Sequence, residues 1–228
     1  KAIFLTSGIN PSNLSVINVE NSSNPVHAIS WKKQGVGNAG ESLWEAHRFG
    51  VDSIISTMTQ SDRVDIIKLV NPPMAAMSFV EQSRIELPSP SGLAVQGNLA
   101  YIESKQKLYV VDLTNPAVPV ILGNTDLGMD QDLKQGRIGA TRIFVDGKYA
   151  YVAGFQQVSM VDIADSAKPI LKRVFRESSN VPEGDLGFGN VSAVSKYGDY
   201  LVVSSKDNIK YPIRFIYLPL FTCSGSED

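Results

Sequence analysis

Short apolar runs separated by glycine, proline or asparagine make up most of this chain. The clearest series lies between Gly97 and Gly123, where strand-like runs cover 98–103, 108–113 and 118–122. The middle run is almost entirely apolar, and its β-branched and aromatic residues suit a pleated sheet. This pattern predicts three β-strands joined by tight turns.

The same pattern recurs along the chain. A close copy covers 147–174, looser copies cover 51–80 and 2–29, and a fifth begins at Gly198. Equivalent positions of the third strand lie 50, 44, 50 and 55 residues apart, and they are Asn18, Lys68, Asp112, Asp162 and Tyr217. A period of about 40 to 50 residues with several strands in each copy is typical of propeller blades.

A further apolar run precedes the turn glycine of each later copy, at 43–49, 92–96, 140–146 and 190–197. Each repeat therefore holds four strands, and such a sheet buries its faces only by stacking on its neighbours around an axis. We predict an all-β fold, a β-propeller of four-stranded antiparallel blades. It would have about five blades in a closed ring, or form an arc of a larger propeller. Residues 1–220 would form a single propeller domain, and 221–228 a loose tail.

The motifs of the two clearest copies resemble a known family. GNLAYI followed by VVDLTNPAVP, and GKYAYV followed by MVDI, are similar to the LVIVD repeats of β-propellers. The resemblance is close at 92–123 and 140–175, whereas Asn18 and Lys68 replace the motif aspartate in the first two copies. It implies a binding or scaffold propeller, often exported, with no shared catalytic residues.

Composition excludes several classes of partner. The formal net charge is only −2, so neither a nucleic-acid groove nor binding to an acidic membrane surface is indicated. No apolar run approaches the roughly 20 residues that span a bilayer, so membrane insertion is not expected. The single cysteine, Cys223, allows no internal disulfide and has no neighbouring histidine or basic residue to activate it.

Long polar segments at 32–41, 124–139 and 176–189 are predicted to lie on one loop-rich face, where propellers bind their ligands. Candidate binding residues in and beside these segments are Trp31, Trp44, Asp126, Asp130, Asp132, Glu183 and Asp185. The aspartates could hold calcium, since hard cations prefer carboxylate oxygens, but the favoured interpretation is a solvated loop without metal or other cofactor.

Other chemistry-bearing residues have ordinary interpretations. Asp112 and Asp162 recur at one repeat position, which predicts that they accept backbone N–H groups near the following turn. His27 and His47 lie on different strands without a carboxylate at metal-ligand spacing, which favours packing or surface roles. We predict no catalytic residues.

Two functions fit the sequence. The leading hypothesis is a non-enzymatic interaction or scaffold propeller, extracellular, on the cell surface or in the periplasm, which binds protein partners or associates with itself through its loop-rich face. The alternative is a propeller-type hydrolase or lyase with a calcium-assisted site at the channel mouth. A metal at the axis would distinguish them.

Overall fold

The computed structural model describes residues 2–6, 14–19, 21–31, 43–58, 62–70, 78–128, 142–154, 156–176, 191–205 and 212–218. Every regular element in these ranges is a β-strand, and the strands form five antiparallel sheets. Within the same ranges, no helix is long and apolar enough to cross a bilayer. The prediction of an all-β propeller fold is confirmed.

The sheets follow one another along the chain. Sheet 1 consists of β1 (Ala2–Thr6), β2 (Leu14–Asn18) and β3 (Val26–Trp31). Sheet 2 consists of β4 (Leu43–Phe49), β5 (Ser53–Met58), β6 (Arg63–Val70) and β7 (Ser78–Glu86). Sheet 3 consists of β8 (Pro90–Gln96), β9 (Leu99–Ser104), β10 (Lys107–Asp112) and β11 (Val120–Asp126). Sheet 4 consists of β12 (Arg142–Asp146), β13 (Tyr149–Gly154), β14 (Gln157–Asp162) and β15 (Ile170–Arg176). Sheet 5 consists of β16 (Val191–Tyr197), β17 (Tyr200–Ser205) and β18 (Ile213–Tyr217).

The four predicted inner strands correspond to β4, β8, β12 and β16. Each is joined to the second strand of its sheet by a turn that begins with a glycine. Gly97 and Gly147 have φ of 61° and 57°, a left-handed conformation that glycine adopts without steric cost. The register Asp146↔Tyr149 leaves only two residues in the second of these turns, as the sequence predicts.

The chain falls into two compact units, Lys1–Asn124 and Thr125–Asp228. In the first, aliphatic side chains of sheets 2 and 3 share a buried cluster that includes Ile55, Ile66, Leu93 and Ile102. In the second, one face of sheet 4 packs on one face of sheet 5. The assignment of residues 1–220 to a single domain remains a prediction.

A repeated turn follows the third strand of sheets 3 and 4. Asp112 Oδ1 accepts hydrogen bonds from the backbone N and the hydroxyl of Thr114, at 2.8 and 2.6 Å. These bonds favour the carboxylate and lower the pKa of Asp112. Asp162 Oδ1 likewise accepts from Ala164 N at 3.0 Å. The predicted structural role of the two aspartates is confirmed.

β-Bulges recur at equivalent positions. In the outer strands of sheets 1, 2 and 4 the register shift leaves Ala28, Gln82 and Lys172 as the extra residue. The inner strands of sheets 2, 3 and 5 are also bulged, near their first residues. Bulges increase local twist and redirect side chains, so they shape the start of each of these inner strands in a similar way.

Candidate functional site

Of the binding residues predicted from the sequence, the structure describes the side chain of Asp126 alone. Its Oδ1 accepts a hydrogen bond from Gly128 N at 2.7 Å, so this carboxylate stabilises the turn that ends β11. Trp31 and Trp44 lie in β3 and β4, but their side chains are outside the described part of the chain.

The remaining candidates, Asp130, Asp132, Glu183 and Asp185, lie outside the described residues. Among the residues that are described, no group of three histidine, cysteine or acidic side chains is arranged to hold a metal ion. The binding role of the predicted set therefore stays a prediction.

Unit Thr125–Asp228 contains a buried polar cluster with a structural role. Ser159 Oγ donates to Leu127 O at 2.6 Å, and Gln157 Nε2 donates to Ser159 Oγ at 3.0 Å. Arg176 Nη2 donates to Gly128 O and Arg176 Nε donates to Gln157 Oε1 at 3.3 Å. These donors satisfy the carbonyls that follow β11 and fix this segment on sheet 4.

Unit Lys1–Asn124 holds a different arrangement, on the inner strand β4. Glu45 and His47 are two residues apart, so their side chains project from the same side of the strand. Glu45 Oε1 lies 3.3 Å from His47 Nε2. Phe49, the next residue on that side, is buried in the cluster between sheets 2 and 3. The pair therefore lies on the side of β4 that faces sheet 3.

The backbone of β8 holds Glu45 in place. β8 is the inner edge of sheet 3, and edge strands present backbone N–H groups that have no strand partner. Glu45 Oε2 accepts the N–H of Leu93 at 2.9 Å, and Leu93 itself is fully buried. One carboxylate thus joins the inner strands of neighbouring sheets while its other oxygen contacts the imidazole of His47.

A second carboxylate lies nearby but serves a turn. Glu103 is almost fully buried, and it accepts hydrogen bonds from Ser91 Oγ and, at 2.8 Å, from Gln106 N. Ser91 O in turn accepts from Thr57 Oγ1 at 2.9 Å. Because both oxygens of Glu103 are used in this way, we assign it a structural role.

The Glu45–His47 pair has the features of an oriented base. The His47 side chain is 36% exposed, whereas that of Glu45 is 17% exposed, so the imidazole is within reach of solvent and its carboxylate partner is shielded. A carboxylate that accepts from one ring nitrogen leaves the other as the basic site. This arrangement can take a proton from a water molecule and return it to a leaving group.

Sequence reasoning missed this pair. Neither histidine has a carboxylate at metal-ligand spacing, whereas the spacing that brings two side chains together on a strand is two residues. The segment Glu45-Ala46-His47 within a predicted inner strand was the available signal. His47 is partly exposed and its ring contacts a carboxylate that is anchored on the neighbouring sheet, and its expected packing or surface role stays a prediction.

Comparison with protein families gives two matches to the LVIVD repeat, at residues 89–126 and 139–176. These segments coincide with sheets 3 and 4, and the resemblance inferred from the sequence is confirmed. A search of curated proteins found no match.

Several solved structures share the fold. A protein from Lactobacillus plantarum superposes with a TM-score of 0.64 at 14% identity, over 90% of this chain and 64% of its own length. The periplasmic gluconolactonase of Pseudomonas aeruginosa gives 0.66 at 13% identity, over 91% and 61%. A candidate 6-phosphogluconolactonase from Bacteroides uniformis gives 0.63 at 12% identity, over 95% and 68%. The chain therefore spans less than two thirds of the first two neighbours.

These neighbours correct one prediction. The sequence favoured a non-enzymatic interaction or scaffold propeller, because it shows no recognised catalytic motif. Two of the proteins that share this fold are named as lactone-hydrolysing enzymes, so the prediction is wrong. Its physical weakness is that propellers assemble their sites from strands distant in sequence, and such a site leaves no local motif.

Proposed function

Given two LVIVD repeats within a propeller fold, we propose that this chain hydrolyses a sugar lactone. His47 acts as the general base. Glu45 is the positioning residue that orients the imidazole. The pair carries the proposal because it combines a partly exposed base with a shielded, anchored carboxylate. The likeness of the fold to two proteins named as lactonases supports the choice of substrate class.

The chemistry requires one base and one water molecule. His47 takes a proton from the water molecule while the oxygen of that water attacks the carbonyl carbon of the lactone. The tetrahedral intermediate then collapses, the ring C–O bond breaks, and His47 returns the proton to the departing ring oxygen. The product is the open hydroxy acid, and no oxidant or further reactant is consumed.

Glu45 contributes by geometry. Its Oε2 is held by the N–H of Leu93, which limits the rotation of the carboxylate and keeps Oε1 directed at the ring of His47. A histidine oriented in this way loses less rotational freedom when the transition state forms. We therefore expect Glu45 to affect kcat more than KM.

The test measures acid release from glucono-1,5-lactone at near-neutral pH, after subtraction of spontaneous hydrolysis. His47→Gln should lower kcat by about 10²- to 10⁴-fold, the usual contribution of a general base. Glu45→Gln keeps an acceptor for Leu93 N and should lower kcat roughly tenfold or more with little change in KM. His27→Gln is the matched control, because His27 is exposed and lies on β3 of sheet 1. This substitution should leave the rate unchanged.

Two results would overturn the proposal. One is a parent protein that hydrolyses neither glucono-1,5-lactone nor its 6-phosphate faster than buffer does. The other is an active parent whose rate is unaffected by His47→Gln. Circular dichroism of each variant confirms that a lost rate does not reflect a lost fold.

A further inference from the structure

Two side chains of sheet 2 bind the backbone of β8 at neighbouring points. Glu45 Oε2 accepts the N–H of Leu93 at 2.9 Å, and Thr57 Oγ1 donates to the carbonyl of Ser91 at 2.9 Å. In an extended strand the C=O of one residue and the N–H of the residue two positions on point to the same edge. A carboxylate acceptor and a hydroxyl donor therefore supply this edge of β8 with the kind of hydrogen bonds that a further strand would make.

The two side chains come from one cross-strand pair. Glu45 of β4 lies opposite Thr57 of β5, so both project from the side of sheet 2 that faces sheet 3. Thr57 is fully buried, and its hydroxyl lies 3.5 Å from Glu45 O, which is longer than an ordinary O–H···O bond. The single hydroxyl proton of Thr57 is therefore directed at Ser91 O.

Ser91 is also fixed within sheet 3. Ser91 Oγ donates to Glu103 Oε2, and Glu103 Oε1 accepts the N–H of Gln106 at 2.8 Å. A buried network of this kind holds its members rigidly, so Ser91 is a firm point of attachment for sheet 2. Because Leu93 is only two residues further along β8, a bond to Ser91 O also limits how far Leu93 N can move relative to Glu45.

We propose that Thr57 is a positioning residue for the base His47. Its bond to Ser91 O keeps Leu93 N within reach of Glu45 Oε2. That carboxylate in turn keeps Oε1 directed at His47 Nε2, 3.3 Å away. The expected effect on catalysis rests on the proposed lactone hydrolysis, whereas the effect on the orientation of His47 does not.

The first test observes the imidazole directly and requires no substrate. When one ring nitrogen of a neutral histidine donates to a carboxylate, that nitrogen carries the proton, and the chemical shifts of the ring nitrogens distinguish the two tautomers by NMR. The chain holds two histidines, so His27→Gln assigns both imidazoles. In the parent, neutral His47 should carry its proton mainly on Nε2.

Two substitutions of Thr57 give opposite expectations. Thr57→Val removes the hydroxyl and keeps the β-branched shape, and it should lower the ratio of the Nε2–H to the Nδ1–H form of His47 by about twofold or more. Thr57→Ser keeps the donor and should restore most of the parent ratio. If Thr57→Val does not fold, Thr57→Ala also lacks the hydroxyl and carries the same expectation.

The second test measures kcat and KM for glucono-1,5-lactone. Thr57→Val should lower kcat by about three- to tenfold with little change in KM, because a displaced base slows the chemical step more than binding. Thr57→Ser should recover most of the lost rate. Thr114→Val is the matched control, because it also removes a hydroxyl hydrogen bond, 2.6 Å to Asp112 Oδ1, but in the turn after β10. It should leave kcat and the tautomer ratio unchanged.

A double substitution tests whether Thr57 acts through Glu45. In a Glu45→Ala background the carboxylate that links β8 to His47 is gone, so adding Thr57→Val should lower kcat no further. A general loss of rigidity would instead lower kcat by the same factor in both backgrounds, and that result would refute the proposal.

Two other results would also refute it. One is a Thr57→Val variant that keeps the tautomer ratio of the parent, and the other is an equal change of that ratio in Thr114→Val. A parent that does not hydrolyse the lactone overturns the proposed function alone, because the tautomer ratio still decides the role of Thr57.

Discussion

Substitutions at Gly147 should isolate the cost of a left-handed backbone in a propeller turn. Gly147 has φ of +57°, and a Cβ atom added there would meet no other atom within 4 Å. A side chain at this position therefore creates no steric overlap with the rest of the fold. What remains is the intrinsic penalty that an L-residue pays for positive φ, which depends on the side chain alone.

The expected costs form a series. Asparagine tolerates left-handed backbone, so Gly147→Asn should reduce the free energy of unfolding by about 0.5 kcal/mol or less. Gly147→Ala should cost about 1 kcal/mol, and Gly147→Val about 2 kcal/mol because its β-branch opposes this conformation. At Gly128, φ is +61° and an added Cβ would lie 3.0 Å from Leu171 Cδ2 and 3.1 Å from Val174 Cγ2. Gly128→Ala should therefore cost more than Gly147→Ala.

Urea unfolding followed by circular dichroism measures the series, with unchanged m-values as the sign that only stability has changed. Thermal midpoints should fall by about 2 to 4 °C for each kcal/mol in a protein of this size. If Gly147→Val were no more costly than Gly147→Asn, the backbone argument would be wrong. Equal costs for Gly128→Ala and Gly147→Ala would likewise refute the contribution assigned to the close contacts.

Three further predictions concern buried and strained positions. Gln106, between β9 and β10, has φ of 67°, a conformation that glycine adopts more readily. Gln106→Gly should therefore increase the free energy of unfolding by about 0.5 to 1 kcal/mol and raise the urea midpoint, and a lower midpoint would contradict this. Ser159→Ala removes the shorter hydrogen bond to the buried carbonyl of Leu127 and should cost about 1 to 2 kcal/mol by urea unfolding, with a cost near zero as the contrary result. Burial raises the pKa of Tyr151 to about 12, so the unfolded chain ionises first and stability should fall as pH rises from about 10 to 12. Tyr151→Phe should lessen this loss of stability in thermal melts recorded over a series of pH values. An unchanged loss of stability would mean that other groups cause it.

The strands were predictable because their signals are local. In sheets 3 and 4 the hairpin between the first two strands is marked by a turn glycine, and the third strand ends where Asp112 or its counterpart Asp162 accepts the backbone N–H two residues on. Leu43–Phe49 has residues that favour a helix, yet the repeat register correctly placed a strand there. Local chemistry and repeat spacing agree at these positions, which is the condition under which sequence reasoning succeeds.

The turn between β9 and β10 shows where local rules fail. Lys105 and Gln106 both have positive φ, as in a type I′ turn, although neither is a residue that favours this conformation. The carboxylate of Glu103 compensates by accepting the N–H of Gln106. Nothing in the residue types of the turn itself predicts this conformation.

The candidate site was unpredictable for a related reason. Glu45 and Leu93 are 48 residues apart in sequence and meet only because the inner strands of sheets 2 and 3 lie side by side. The sequence placed the binding residues in long polar segments, most of which lie outside the described residues. Composition identifies such segments easily, whereas a pair on neighbouring inner strands requires the register of both sheets.

The self-contained hydrogen bonding of each sheet bears on how such a chain can change in length during evolution. In sheets 3 and 4 the residue after the motif aspartate donates its backbone N–H within its own sheet, from Leu113 to Asn98 and from Ile163 to Lys148. The LVIVD matches begin and end with these same sheets, so the unit of sequence similarity is also the unit of backbone pairing. Duplicating or deleting one such segment in a gene breaks few backbone hydrogen bonds in the sheets that remain. The main requirement is that the apolar faces of the two sheets that become neighbours pack together. Blade number should therefore vary readily among relatives, while the turn that closes each blade should vary little.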